Sequence, residues 1–208
     1  MHCWHAAHFP LWNRLPMFEK SLDWYFTILK SSRERAKSQG YAGARFPKMT
    51  EPNGTDAPSP IGPLLIWEQP HPIFYAELVY LSKPNRQTLL KYKQLIIETA
   101  NFMMSYPNFD GQRYVLGPPV IPAQENHPAI ETWNPTFELE YWRYGLKTAN
   151  KWLERLGSKR EKGWDEVVGK LSPLPSKDGV YLAHENCPQT FTERNIDHPS
   201  MLGALGVL

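Results

Sequence analysis

The chain has 208 residues, a net charge of +2 and a composition that is 41% hydrophobic and 21% charged. This balance is typical of globular proteins and excludes a largely disordered chain, and the length fits one large domain or two small ones. No apolar run approaches the ~18 residues of a membrane span, and the scattered basic residues argue against nucleic acid as a partner.

Helical periodicity dominates the sequence. It predicts a last helix that begins near Pro199 and, before it, helices over residues 16–38, 72–82, 86–106, 135–156 and 161–171. Asn85 and Asn134 are the expected N-caps of the third and fourth helices, and Gly157 is expected to end the fourth. No stretch requires a strand, although residues 179–182 would suit a short one.

Three long loops, at 39–71, 107–133 and 173–198, separate the predicted helices. Loops of this length are usually functional or disordered, and here 20 prolines and an aromatic content of 13% indicate order. Carbohydrate-active proteins use aromatic-rich loops because sugar rings stack on aromatic faces. The alternative is that most of these aromatic side chains belong to the core.

The fourth helix carries two apolar stripes and one charged face. Glu138 lies between the apolar stripes, whereas Glu140 falls on the charged face. Because burial of a lone carboxylate is unfavourable, Glu138 is expected to meet a partner, a ligand or a water-filled pocket. A structural role, with Glu138 bonded to backbone amides, is the other interpretation.

The most informative stretch is a proline-rich loop, residues 116–127, that delivers Glu125 and His127 to the start of the fourth helix. Polar groups held where a stiff loop meets a helix are typical of catalytic centres. Cleavage of a glycosidic bond needs a carboxylic acid that protonates the departing oxygen. Other side chains suit sugar hydroxyls or, for the tryptophan, ring stacking: Arg45, Lys48, Trp67, Gln69, His71 and Asn126.

The sequence predicts neither a metal site nor a cofactor. His5 and His8 could lie one helical turn apart, but no third ligand accompanies them. Cys3 and Cys187 are far apart and have no metal-ligand spacing, so they also leave the cellular compartment open.

Four runs resemble, in order, the catalytic core of the (α/α)6-barrel glycoside hydrolases, closest to family 65 and the related family 95. They are Met1–Trp4, Tyr41–Pro47, Glu98–Phe102 and Gln124–His127. The resemblance implies an all-α fold, part of an (α/α)6 toroid, over residues 1–208 as one partial catalytic domain. It also implies an inverting mechanism with Glu125 as the general acid.

A carbohydrate is the expected partner. The predicted substrate-binding residues are Trp4, His5, Arg45, Lys48, Trp67, Glu68, Gln69, His71, Asn126, His127, Glu138, Glu185 and Asp197. His5 stands where family 65 has an acidic residue, and Asn195–His198 replaces a lysine-containing segment, so a different substrate is expected. The resemblance puts the base or phosphate site beyond Leu208, which leaves hydrolase and phosphorylase open.

Both ends of the sequence suggest a fragment, for which exposed apolar surface and no activity in isolation are expected. Two other classes of function remain open: a non-catalytic carbohydrate-binding toroid and a helical interaction domain. The latter predicts that Trp67, His71, Glu125 and Glu138 face separate surfaces. The oligomeric state and the localisation stay open.

Overall fold

The computed structural model describes residues 2–196 and 199–205, with side chains from His5 onward. Within those ranges no helix is both long and apolar enough to cross a membrane.

The chain is mostly helical, as predicted. Its α-helices are α1 (His2–Leu11), α2 (Leu15–Thr27), α3 (Leu29–Ser38), α4 (His71–Ser82), α5 (Arg86–Ser105), α6 (Thr136–Arg155) and α7 (Lys162–Lys170). Short 3-10 helices span Gly62–Leu64 and Ser200–Leu205. Two antiparallel hairpins pair β1 (Asn108–Phe109) with β2 (Tyr114–Val115) and β3 (Ser176–Lys177) with β4 (Val180–Tyr181). The second hairpin contains the short strand that residues 179–182 suggested.

The prediction of one continuous helix over 16–38 is wrong, because α2 and α3 are separated at Ile28. The hydroxyl of Thr27 donates to the Trp24 carbonyl, and the hydroxyl of Ser31 donates to the Ile28 carbonyl. Such side-chain bonds compete with the helical ladder. Tertiary contact also holds the break, since the indole of Trp24 donates to the Pro52 carbonyl at 2.8 Å.

The prediction that Asn134 caps the fourth helix is also wrong, whereas Asn85 caps α5 as expected. Asn134 has a left-handed backbone with φ 51°, and its side chain accepts from the Leu116 amide at 3.0 Å. The first amide of α6, on Thr136, instead donates to the Ala183 carbonyl. The helix end is therefore satisfied by a distant loop and not by its own flanking residue.

α4 and α6 form the buried centre, and α5 packs against both. The indoles of Trp142 and Trp152 donate to the Met103 and Leu89 carbonyls at 2.7 and 3.0 Å, which fixes α6 to α5 at two points along its length. Buried indole N–H groups need such partners. The two apolar stripes predicted for this helix are largely buried, so the position of its first turn is set by the core.

The loop after α3 approaches α5 so closely that it requires glycine at position 43. Gly43 has φ +68°, and a Cβ there would collide with the Glu98 carbonyl oxygen and the Phe102 amide nitrogen. The neighbouring Ala44 amide donates to the Glu98 carbonyl at 2.9 Å. The glycine therefore sets how the 44–48 segment sits on the core.

Gly43→Ala should lower the free energy of unfolding more than Gly40→Ala does. Both positions have positive φ, which costs alanine about 1–2 kcal/mol, but Gly40 has open space around it. The collision at Gly43 should add about 1–3 kcal/mol. Urea denaturation of both variants measures the difference, and equal losses would show that the close approach is relaxed at no cost.

Candidate active site

Three segments, 45–48, 65–71 and 121–127, meet at the start of α6. Gln69 joins the first two, because its side chain accepts from the Phe46 amide at 3.1 Å and donates to the Phe46 carbonyl. Ile121 joins the second and third, because it forms a parallel β-bridge with Leu65 and its amide donates to the adjacent Leu64 carbonyl at 2.8 Å. Most of the predicted site residues lie on these segments.

Glu138, in the first turn of α6, anchors the third segment. Its side chain is fully buried, and Oε1 accepts from the Ala123 amide at 2.7 Å. Burial raises the pKa of Glu138 from 4.5 to about 7, against the lowering effect of its own amide and that of Ala123. The inward position predicted for Glu138 is therefore confirmed, and the backbone bond expected for a structural role is present as well.

Glu68 is a second buried carboxyl of this region. Burial raises its pKa from 4.5 to about 8. Hydrogen bonds from its own amide and from Gln69, together with the charge of Arg45, act to lower the pKa. The charge of Glu138 adds to the rise. The guanidinium of Arg45 is itself committed to Gln39 Oε1 at 2.7 Å and to the Pro63 carbonyl at 2.5 Å. The site thus holds two carboxyls whose pKa values are raised by burial, to about 7 for Glu138 and about 8 for Glu68.

Several buried polar atoms here have no hydrogen-bond partner among the described residues. They are Trp67 Nε1, Glu68 Oε2, Glu138 Oε2 and both polar atoms of the Gln124 side chain. Trp67 packs with Ala123 and Ile121 in one apolar cluster, which places these groups around the same loop. An unsatisfied buried polar group costs about 1–3 kcal/mol. A polar ligand or bound water would remove this cost by supplying the missing hydrogen bonds.

Gln124 was not among the residues predicted to bind substrate. It is 3% exposed, although it lies directly beside Glu125 in the sequence. Its place beside the predicted acid was the available signal.

Aromatic rings surround His71 at the start of α4. Nδ1 of His71 lies 2.8 Å from the Tyr141 hydroxyl, and its ring centre lies 5.4 Å from that of Trp67 and 5.5 Å from that of Tyr75. Trp67 is only 8% exposed, so it forms part of a buried wall and presents little open face for stacking.

Glu125 differs from the two buried carboxyls because it reaches the surface. Its side chain is 32% exposed and accepts from Lys48, which is 19% exposed. Its backbone is left-handed, with φ 66°, a conformation that costs a non-glycine residue about 1–2 kcal/mol. A cavity of about 260 Å³ lies on the Lys48 side of this ion pair, and Arg45, Lys48 and Asp56 are among its lining residues, whereas Glu125 is not.

The remaining predicted residues are more dispersed. Asn126 is exposed and its carbonyl accepts from Arg194 at 3.3 Å. Glu185 accepts from Arg113 at 2.8 Å and Asn134 at 2.6 Å, and these bonds outweigh burial to lower its pKa.

His5 lines another cavity, of about 370 Å³, with side chains of α1, α2 and α4. The side chain of Trp4 and the whole of Asp197 lie outside the described residues.

The structure also assembles a set of metal-ligand types that the sequence did not predict. His127, His184 and Cys187 are all buried, and their donor atoms lie within 4.8 Å of one another. Burial, together with the nearby charges of His127 and Arg194, lowers the pKa of His184 to about 4. The separation of three between His184 and Cys187 was the local signal, while His127 comes from a different loop.

Comparison with known proteins finds similarity in fold but not in sequence. No protein-family model matches the chain, and no curated protein sequence matches it. A solved structure named "Putative kojibiose phosphorylase from human microbiome" is similar, with a TM-score of 0.68 and 14% sequence identity over 82% of this chain. The chain spans 28% of the length of that structure.

At this identity the likeness concerns the fold alone. The predicted all-α architecture is confirmed, because the described chain is mostly helical and shares the fold of that structure. The roles predicted for individual residues stay predictions.

The two buried carboxyls should make the protein less stable as pH rises. In the unfolded chain they ionise near 4.5, whereas in the folded chain they keep their protons until about 7 for Glu138 and about 8 for Glu68. The folded state therefore binds more protons between pH 4.5 and 8, and the free energy of unfolding falls across that window. Glu138 alone should account for about 3 kcal/mol.

Urea denaturation between pH 5 and 8 measures this loss. Glu138→Gln, which keeps an acceptor for the Ala123 amide, should flatten the decline, while Glu140→Gln on the partly exposed face of α6 should leave it as in the native protein. Parallel curves for all three proteins would mean that Glu138 is ionised in the folded state.

Proposed function

We propose that this chain carries the acid-bearing part of an enzyme that cleaves glycosidic bonds, with Glu125 as the general acid. The observation that carries the proposal is the contrast among the three carboxyls of the site. Glu68 and Glu138 are enclosed, whereas Glu125 reaches the surface on a loop that both the 65–71 segment and α6 hold in place. A proton donor must touch the substrate, and of these three Glu125 is the one that can.

The backbone of Glu125 supports the same role. A non-glycine residue in the left-handed region is uncommon, and such strain concentrates at functional sites. Here the strained residue is the one that the family resemblance singles out. Lys48 contacts its carboxylate, whereas a general acid must carry a proton. The proposal therefore requires that an entering sugar hydroxyl displaces Lys48 and that Glu125 takes up a proton before the reaction.

In the proposed reaction, Glu125 gives its proton to the glycosidic oxygen as the bond from that oxygen to the anomeric carbon breaks. A nucleophile attacks the anomeric carbon from the opposite face, which inverts its configuration. The proposal assigns the second catalytic role to no residue of this chain. Buried polar atoms of Trp67, Gln124 and Glu138 would bind ordered water behind the substrate.

The nucleophile separates two versions of the proposal. With water the enzyme is an inverting glycoside hydrolase acting on an oligosaccharide or glycoconjugate. With inorganic phosphate it is a phosphorylase, a version favoured by the printed name of the similar structure. Products formed with and without phosphate distinguish the two: a free reducing sugar in both cases indicates hydrolysis, and a sugar 1-phosphate that needs phosphate indicates phosphorolysis.

Glu125→Gln should lower turnover of a natural disaccharide by about 10²–10⁴-fold, the range expected for loss of general acid catalysis. Sugar binding should change little, because glutamine keeps the size and an acceptor oxygen of the side chain. Steady-state kinetics and calorimetric titration of the intact protein give the two quantities. Glu51→Gln, an exposed position in the neighbouring loop, is the matched control and should behave like the native protein.

Two results would contradict this assignment. Near-native turnover by Glu125→Gln would remove Glu125 from the chemistry. Binding of sugars by the native protein without turnover, across a panel of α- and β-linked glycans with and without phosphate, would instead identify a carbohydrate-binding toroid.

A further inference from the structure

A buried cluster of His127, His184 and Cys187 lies beside the proposed active site and takes no part in the reaction described above. All three side chains are at most 4% exposed, and their donor atoms lie within 4.8 Å of one another. The two imidazole rings meet edge to face, with centres 5.0 Å apart and an interplanar angle of 83°. Two imidazoles and a thiol that converge in the interior form a donor set for a transition metal.

We propose that His127, His184 and Cys187 bind a single d10 metal cation, Zn²⁺ or Cu⁺. Imidazole and thiolate suit both ions, and hard cations such as Mg²⁺ and Ca²⁺ prefer oxygen ligands. Ligands at about 2.0–2.3 Å from a shared Zn²⁺ lie roughly 3.5 Å apart. The donors therefore need to approach one another by up to about an ångström when the ion binds.

Charge favours a cation that is balanced by the thiolate. Cys187 gives up its proton on binding, so Cu⁺ would leave the cluster neutral and Zn²⁺ would leave one positive charge. Arg194 lies near the cluster, since its guanidinium donates at 3.3 Å to the carbonyl of Asn126, the residue before His127. The positive charge of Arg194 would repel a doubly charged ion bound only by neutral imidazoles. The negative thiolate of Cys187 is therefore essential to the site.

The local backbone already holds the chelating pair in place. The Cys187 amide donates to the His184 carbonyl at 3.1 Å, and the Thr190 hydroxyl donates to the Cys187 carbonyl at 2.6 Å. The Asn186 amide contacts His184 Nδ1 at 3.3 Å, a long bond that a metal at Nδ1 would replace because Asn186 is exposed to water.

A metal in this cluster would join two loops. His127 lies two residues after Glu125, whereas His184 and Cys187 belong to the 182–196 segment, which also supplies the carbonyls that receive Thr136 at the start of α6. The ion would therefore fix the far side of the Glu125 loop. The binding itself does not rest on the proposed glycosidic activity and is tested without it.

The experiment uses the full chain with Cys3→Ser, so that Cys187 is its one thiol, after removal of metal by a chelator. Zn²⁺ and, under anaerobic conditions, Cu⁺ are added separately, and bound metal per chain is determined after dialysis. Co²⁺ is used as an optical substitute for Zn²⁺. The expected result is one ion per chain, protection of Cys187 from alkylation and a thiolate-to-cobalt charge-transfer band.

Cys187→Ser and His184→Gln should weaken binding by more than the roughly 10–100-fold that loss of an outer-shell partner costs. His8→Gln, which changes a histidine of α1, should have no effect. Uptake of either ion supports the site, and the ion retained identifies its occupant. Failure of both ions to bind stoichiometrically, or binding that survives Cys187→Ser, would overturn the proposal. If the variants do not fold, the Co²⁺ spectrum of the parent protein shows whether the metal lies at Cys187. A Co²⁺-loaded protein without a thiolate charge-transfer band would have its metal elsewhere.

Discussion

The buried bond from the Ala123 amide to Glu138 is the constraint on which the candidate site depends. It connects the first turn of α6 to the loop that carries Glu125 two residues later. Because Trp142 and Trp152 fix α6 to α5, the core of the molecule determines where that loop lies. A catalytic group on a loop can be precise only if the loop is held by rigid elements, and Glu138 provides that connection.

The same region concentrates features that lower stability. Two buried carboxyls have raised pKa values, several buried polar atoms lack a partner among the described residues, and Glu125 adopts a left-handed backbone. A sequence selected for stability alone would replace Glu68 and Glu138 with apolar or amide side chains. Local violations of this kind are expected at sites that bind polar ligands, because the ligand or its water supplies the missing partners.

Periodicity and capping predicted the parts of the fold that local sequence controls. The apolar stripes of α6 placed Glu138 inside and Glu140 outside, and the Asn85 cap of α5 was found as expected. The break at Ile28 was not predictable in this way, because neither proline nor glycine marks it. The role of Asn134 was missed because its partners, Leu116 and Glu185, are distant in sequence.

The candidate site was only partly predicted, because some of its residues come together from segments that are distant in sequence. Glu125 was singled out by its proline-rich loop, its role as the acid came from the family resemblance, and Gln69 was chosen by residue type. The only signal for Gln124 was its place beside Glu125, and the cluster of His127, His184 and Cys187 depends on two loops that only the folded chain brings together. Fold likeness at 14% identity then supports the architecture, while the chemistry rests on the geometry around Glu125.

The dependence of the Glu125→Gln defect on the leaving group tests the central claim most directly. The ratio of kcat/KM between native protein and variant is measured with a natural disaccharide and with an aryl glycoside whose phenolate leaves without protonation. If Glu125 is the general acid, the loss is large on the disaccharide and much smaller on the aryl glycoside, because only the former needs a proton from Glu125. Equal losses on both substrates would contradict it and would reduce Glu125 to a structural or binding residue.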